Sequence, residues 1–103
     1  MRIWQVPSRH PRFRALAFAD WETRCRTIGP RLALADYAPV WEEPDPPAVD
    51  PGYLEDCFRR FQADHPPGYR GRSLSVSDVV EVGGRFYYCD AIGFVDITDC
   101  IDR

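Results

Sequence analysis

Three serines at alternate positions, Ser73, Ser75 and Ser77, stand beside Asp78 and downstream of His65. A hydroxyl, an imidazole and a carboxylate are the parts of a nucleophilic triad, so these residue types admit acyl-transfer chemistry. The sequence has no Gly-x-Ser-x-Gly elbow to present such a serine. Alternating serines are the ordinary look of an exposed strand face at a sheet edge. Asp78 is therefore read as closing a turn onto nearby backbone N–H groups. Just upstream lies Gly68-Tyr69-Arg70-Gly71-Arg72. Paired glycines and arginines suit a phosphate cradle, and Gly-x-x-Gly clamps the backbone in one class of nucleic-acid binder. There the loop joins two helices. Here it follows Pro66-Pro67 and enters an alternating apolar stretch, where it reads as a glycine turn. Cys25, Cys57, Cys89 and Cys100 include no Cys-x-x-Cys pair and keep no ligand spacing from His10 or His65. They are expected as four reduced thiols. Asp96, Asp99 and Asp102, and the Glu42-Glu43 pair, match no calcium-loop pattern. These patterns assign no catalytic residue, no metal and no cofactor.

Composition narrows the rest. The chain has 103 residues, 45% hydrophobic and 14% aromatic, which excludes a disordered tail and calls for one packed domain, residues 1–103. Ten prolines exclude a single long helix. No apolar run approaches the roughly 18 residues of a membrane span, and Met1–Pro7 lacks the apolar core of a signal peptide, so the expected compartment is the cytosol. Net charge is −3, but residues 1–31 carry +5 and residues 32–103 carry −8. There is no lysine, and the arginines of the first third suit phosphate or an acidic partner. A nucleic-acid reading would use Arg9, Arg12, Arg14, Arg24 and Arg26 with Arg70 and Arg72, against an overall acidic charge. Trp4, Trp21, Trp41, Tyr53, Tyr69, Tyr87 and Tyr88 exceed what so small a core hides, and half-exposed aromatics beside arginine mark protein interfaces.

Periodicity supplies the elements that position these residues. Arg2–Val6 alternates and stops at Pro7, a strand. Phe18, Trp21, Cys25 and Ile28 keep helical spacing, with Asp20 as cap and Gly29-Pro30 as stop. Tyr37–Trp41 is extended, and Pro39 makes it an edge or irregular strand. Residues 42–50 form an acidic, proline-rich loop. Asp50 sits at an N-cap position and Pro51 at the first helical position. Leu54, Cys57, Phe58 and Phe61 line one face of that helix, which His65-Pro66-Pro67 ends. Glu55 with Arg59, and Asp56 with Arg60, are acid-before-base pairs four apart. Leu74 and Val76 alternate with the serines. Val79–Val82, Gly83-Gly84 and Arg85–Cys89 read as a hairpin placing Val80 opposite Tyr87 and Val79 opposite Tyr88. Ile92–Ile97 adds a strand after a bend at Gly93. The expectation is an α+β fold in the order β-α-β-α-β-β-β: two helices on a mostly antiparallel sheet with a C-terminal meander.

Several stretches together resemble the YodL-like domain. They are Asp36-Tyr37-Ala38-Pro39-Val40-Trp41, Leu54-Glu55-Asp56, Phe58-Arg59-Arg60-Phe61 and Asp64-His65-Pro66. The run Tyr69-Arg70-Gly71-Arg72-Ser73-Leu74-Ser75-Val76-Ser77-Asp78-Val79-Val80 and the run Tyr87-Tyr88-Cys89-Asp90-Ala91-Ile92-Gly93-Phe94 complete the match. Pro39 and Pro67 depart from the pattern. The resemblance implies a small bacterial module of phage and conjugative-element proteins that act in a newly entered host, including against its defences. It implies no reaction. The expectation is a non-enzymatic, cytosolic accessory protein, monomer or homodimer, that binds a protein partner and involves no membrane. Its candidate binding residues are Tyr69, Arg70, Arg72, Ser73, Ser75, Ser77, Asp78, Tyr88 and Asp90, next to the acidic loop at 42–50. Nucleic acid is the alternative partner, and an enzyme built on His65, Asp78 and the serines is the third reading.

Overall fold

A computed structural model describes residues 1–103. Its centre is a five-stranded antiparallel sheet. The strands are β1 (Arg2–Gln5), β3 (Ala38–Glu42), β4 (Val79–Val82), β5 (Arg85–Cys89) and β6 (Phe94–Asp96), in the spatial order β3-β1-β4-β5-β6. Two short strands, β2 (Leu32–Ala33) and β7 (Ile101–Asp102), pair in parallel beside it. Three helices are present: α1 (Phe13–Leu16), α2 (Trp21–Thr27) and α3 (Tyr53–Ala63). The architecture is α+β, as expected, with α1 and the β2–β7 pair added. No helix is long and apolar enough to cross a membrane.

Both faces of the sheet are covered, so strand residues alternate between two cores. Val79, Phe86 and Tyr88 join Leu16, Leu32, Tyr37 and Ile97 on one side. Ile3, Val80 and Val82 join Cys57 and Phe61 of α3, with Leu74, on the other. The hairpin register is the expected one, Val79 opposite Tyr88 and Val80 opposite Tyr87. Gly83 and Gly84 take φ of +60° and +77°, which a two-residue turn of this hand requires and only glycine adopts freely. β3 lies at the sheet edge, where Pro39 loses no ladder bond that the sheet needs, and a bulge separates its two registers with β1. The other edge is β6. The strand carrying Tyr87 and Tyr88 is internal, between β4 and β6, and offers no free edge to a second copy.

Five local expectations change. The segment at 73–78 forms no strand, because the Asp78 carboxylate takes the Ser75 N–H at 2.8 Å and Ser77 adopts φ +86°. Helix α3 begins at Tyr53 rather than Pro51, because Asp50 closes the preceding turn onto the Gly52 N–H at 3.1 Å. On α3, Asp56 pairs with Arg59 three residues on, while Arg60 reaches Glu43 at 2.9 Å. Phe18 lies ahead of α2 rather than on it, and Ile92 is exposed at the bend before β6.

The buried member of the α2 face is Arg24, 1% exposed, with Nε and Nη1 lacking any hydrogen-bond partner. Its charge acts on the hydroxyls of Tyr37 and Tyr88. This removes Arg24 from the expected nucleic-acid set, since a phosphate cannot reach it. A buried guanidinium with two nitrogens left unpartnered is costly, because little replaces their lost hydration. Arg24→Met should therefore raise the free energy of unfolding by about 1–4 kcal/mol in urea titration. A drop in stability would mean that the guanidinium makes a bond worth more than its desolvation.

Candidate binding face

Period two along β1 places Gln5 on the same face as Ile3, and Gln5 is 2% exposed. A buried amide must find partners. Gln5 Nε2 donates to the Asp78 carboxylate and to the Arg72 carbonyl, each at 3.0 Å, and reaches the Tyr69 hydroxyl at 3.3 Å. Its Oε1 accepts the Arg72 N–H at 3.0 Å. The Tyr69 hydroxyl donates to the Arg72 carbonyl at 2.6 Å. One side chain thus clamps the surface turn 69–72 to the sheet. Gly71 is required there, since a Cβ would lie 2.5 Å from the Tyr69 oxygen and 2.7 Å from Gln5 Oε1. The Tyr69 ring is wedged among Phe61, His65 and Trp41, with centroids 5.2, 4.8 and 6.1 Å away.

Asp78 lies beneath the clamp, 2% exposed. Burial pushes its carboxyl up to about 7, and the hydrogen bonds from Ser75 and Gln5 and the charge of Arg72 only partly oppose this. Its backbone carbonyl accepts the Cys89 N–H at 2.8 Å, which continues the ladder beyond β4.

Beside the turn, the Arg72 guanidinium donates to the Val6 carbonyl at 2.9 Å and lies 5.4 Å from the Phe13 ring centroid and 5.9 Å from that of Phe18. The two phenyl rings meet edge to face at 5.9 Å. Phe18 is 55% exposed and takes φ +65°. A left-handed conformation costs a bulky residue roughly 1–2 kcal/mol. It is held by a hydrogen bond from the Phe18 N–H to the Ser77 hydroxyl at 2.8 Å, and Ser77 is itself left-handed. Ser77 is fixed in turn by the Tyr37 hydroxyl on its carbonyl at 2.7 Å.

The expected site residues divide accordingly. Tyr69, Arg70 and Arg72 share the surface turn. Ser77 and Asp78 are buried and position that surface from below. Ser73 donates to the Gln62 carbonyl at 3.1 Å and lies 3.4 Å from His65 Nε2, while Ser75 donates to the Ser73 carbonyl at 2.8 Å. Tyr88 is fully buried, with its hydroxyl on the Ala19 carbonyl at 2.5 Å, so it is a core residue and not a contact for a partner. Asp90 caps α2 from outside the helix by accepting the Trp21 N–H at 3.0 Å. In place of a triad, the Asp78 carboxylate serves Gln5 and the Ser75 backbone. Gln5 and Phe18 were absent from the sequence-based set. Gln5 was detectable as the polar residue on the inward side of β1, whereas no pattern marked the strain at Phe18.

The charge distribution completes the face. One groove of about 430 Å³ runs between Arg70–Arg72 and the β3 residues Ala38 and Val40, over Val6, Pro7 and Arg9. It adjoins through Ser8 a concavity of about 460 Å³ lined by His10, Arg12, Phe13 and Arg14. Five arginines and no acidic residue line the two. Arg2, Arg31, Arg59, Arg60 and Arg85 all pair with carboxylates elsewhere.

The chain is a member of the YodL-like domain family, whose model matches residues 1–99. Comparison with curated proteins and with solved structures returned no match.

Proposed function

We propose that this chain is a non-enzymatic accessory protein of a phage or conjugative element that binds a host or element protein and modulates it. Inhibition of a defence nuclease, such as that of a CRISPR system, is the setting this reading favours. The observation that carries it is the cost accepted beneath one exposed surface. A buried carboxylate, a buried amide and the left-handed Ser77 lie beneath the turn 69–72, and the exposed Phe18 beside it is left-handed as well. Local violations of this kind are kept where a surface must be presented in one shape. A surface ordered before binding gives up less entropy on docking. Membership of the YodL-like family supports the same reading.

The test is capture from a bacterial host lysate by the immobilised, folded chain, with identification by mass spectrometry. One dominant protein is expected, and its recovery should fall when Tyr69 and Arg70 are both replaced by Ala. Recovery of no specific protein by folded bait would remove the proposal.

A further inference from the structure

We infer that the arginine-lined grooves receive an acidic, partly apolar polypeptide segment, with Phe18 as the anchor beside it. The inference rests on the protein-binding reading above and names the chemistry of the partner. On a chain of net charge −3, five arginines gather on two adjoining concavities that contain no carboxylate. None of the five has an internal salt bridge, although five other arginines do. Arginines outside any salt bridge on an otherwise acidic molecule set up a local positive field that attracts and orients an acidic partner.

The floor between these charges selects a polypeptide. Pro7, Ala38 and Val40, each partly exposed, supply apolar lining beside Arg9, Arg70 and Arg72. A segment alternating acidic and apolar side chains satisfies both parts, with carboxylates on the guanidinium groups and aliphatic side chains on the floor. A sugar-phosphate strand would meet the arginines, but it also needs a series of exposed rings on which successive bases can stack. Phe18 is the single aromatic side chain more than half exposed. Its ring projects beside Arg72, and an exposed aromatic flanked by arginine is the composition of an interface hot spot. Such an anchor packs against an aliphatic side chain of the segment, with carboxylates on either side of it.

Phe18→Gly separates anchoring from folding. Glycine adopts φ near +65° without strain, which offsets the lost contacts of the ring with Phe13 and Arg72, so this variant should remain folded, as its melting curve checks. The probe is a fluorescein-labelled synthetic 14-residue peptide alternating acidic and aliphatic residues, followed by anisotropy at low and moderate salt. Saturable binding is expected, weakened by salt. Replacing Arg9 and Arg70 together by Glu should weaken it at least tenfold, and Phe18→Gly should weaken it several-fold. An unlabelled 15-nucleotide oligothymidylate should fail to displace the peptide at equal charge concentration. Absence of peptide binding would overturn the inference, as would equal affinity in the charge-reversed variant or in Phe18→Gly. Displacement by the oligonucleotide would overturn it in favour of a nucleic-acid path. Lysate capture that survives the Arg9 and Arg70 replacements would leave the protein-binding reading standing and reject the acidic segment alone.

Discussion

Replacing Gln5 by Ala should cost roughly 3–5 kcal/mol of unfolding free energy, the sum of a small cavity and several buried polar groups left unmatched. The Arg72 N–H loses its acceptor and the Asp78 carboxylate loses one of its two donors. The Arg72 carbonyl retains only the Tyr69 hydroxyl. The damage should be uneven. Hydrogen exchange should quicken most in residues 69–72, which the amide ties to the sheet, while the β4–β5 hairpin remains protected. Urea titration with exchange mass spectrometry reads both quantities. A loss below about 1 kcal/mol would show that water replaces the amide without difficulty, and the clamp would then not organise the face.

Stability should also fall as pH rises towards neutrality, which is unusual for a protein held by carboxylate pairs. The cause is Asp78, whose carboxyl is raised by burial from 3.8 to about 7. Between those values the folded state holds the proton and the unfolded state has released it. The folded chain therefore binds more protons, and stability declines with increasing pH. This contribution is fully present below about pH 3.8 and is lost as pH passes through about 7. The slope approaches 1.4 kcal/mol per pH unit in the middle of that window. Asp45, Asp96 and Asp102 are held below the usual carboxylate range by hydrogen-bonded partners, and they push the opposite way as the solution becomes more acid. Asp78→Asn isolates the term. Its melting temperature should be nearly flat between pH 5.5 and 7.5, where the parent declines. Parallel curves for parent and variant would show that Asp78 is ionised throughout.

How much of this was legible depends on the range of the interaction. The β4–β5 register followed from Gly83-Gly84 alone, because two glycines between alternating apolar runs permit one short turn. The apolar face of α3 followed from the spacing of Leu54, Cys57, Phe58 and Phe61. Pro39 correctly marked an edge strand. The serine run misled because its alternation matches a strand, while Asp78 and the left-handed Ser77 spend the same backbone groups on a turn. The turn closed by Asp78 was legible from its residue type and is present, but the hydrophobic period alone could not show that it displaces the strand. Arg24 misled for a related reason. Its spacing from Trp21 and Ile28 places it on the inward face, but residue type alone argues for solvent. The candidate site was half visible: the turn 69–72 stood out by composition, whereas the clamp beneath it depends on a contact between residues more than sixty positions apart.

The first strand of the chain is the second strand of the sheet, flanked by β3 and β4, with Ile3 facing Val80. During synthesis, Ile3 and Trp4 leave the ribosome long before residues 79–82 exist to cover them. Until then β1 can pair only with β3, and one edge of an apolar ribbon stays open. The nascent sheet therefore cannot cover the second edge of β1 until residues 79–82 have been translated, and that edge stays open to chaperones and proteases until β4 emerges.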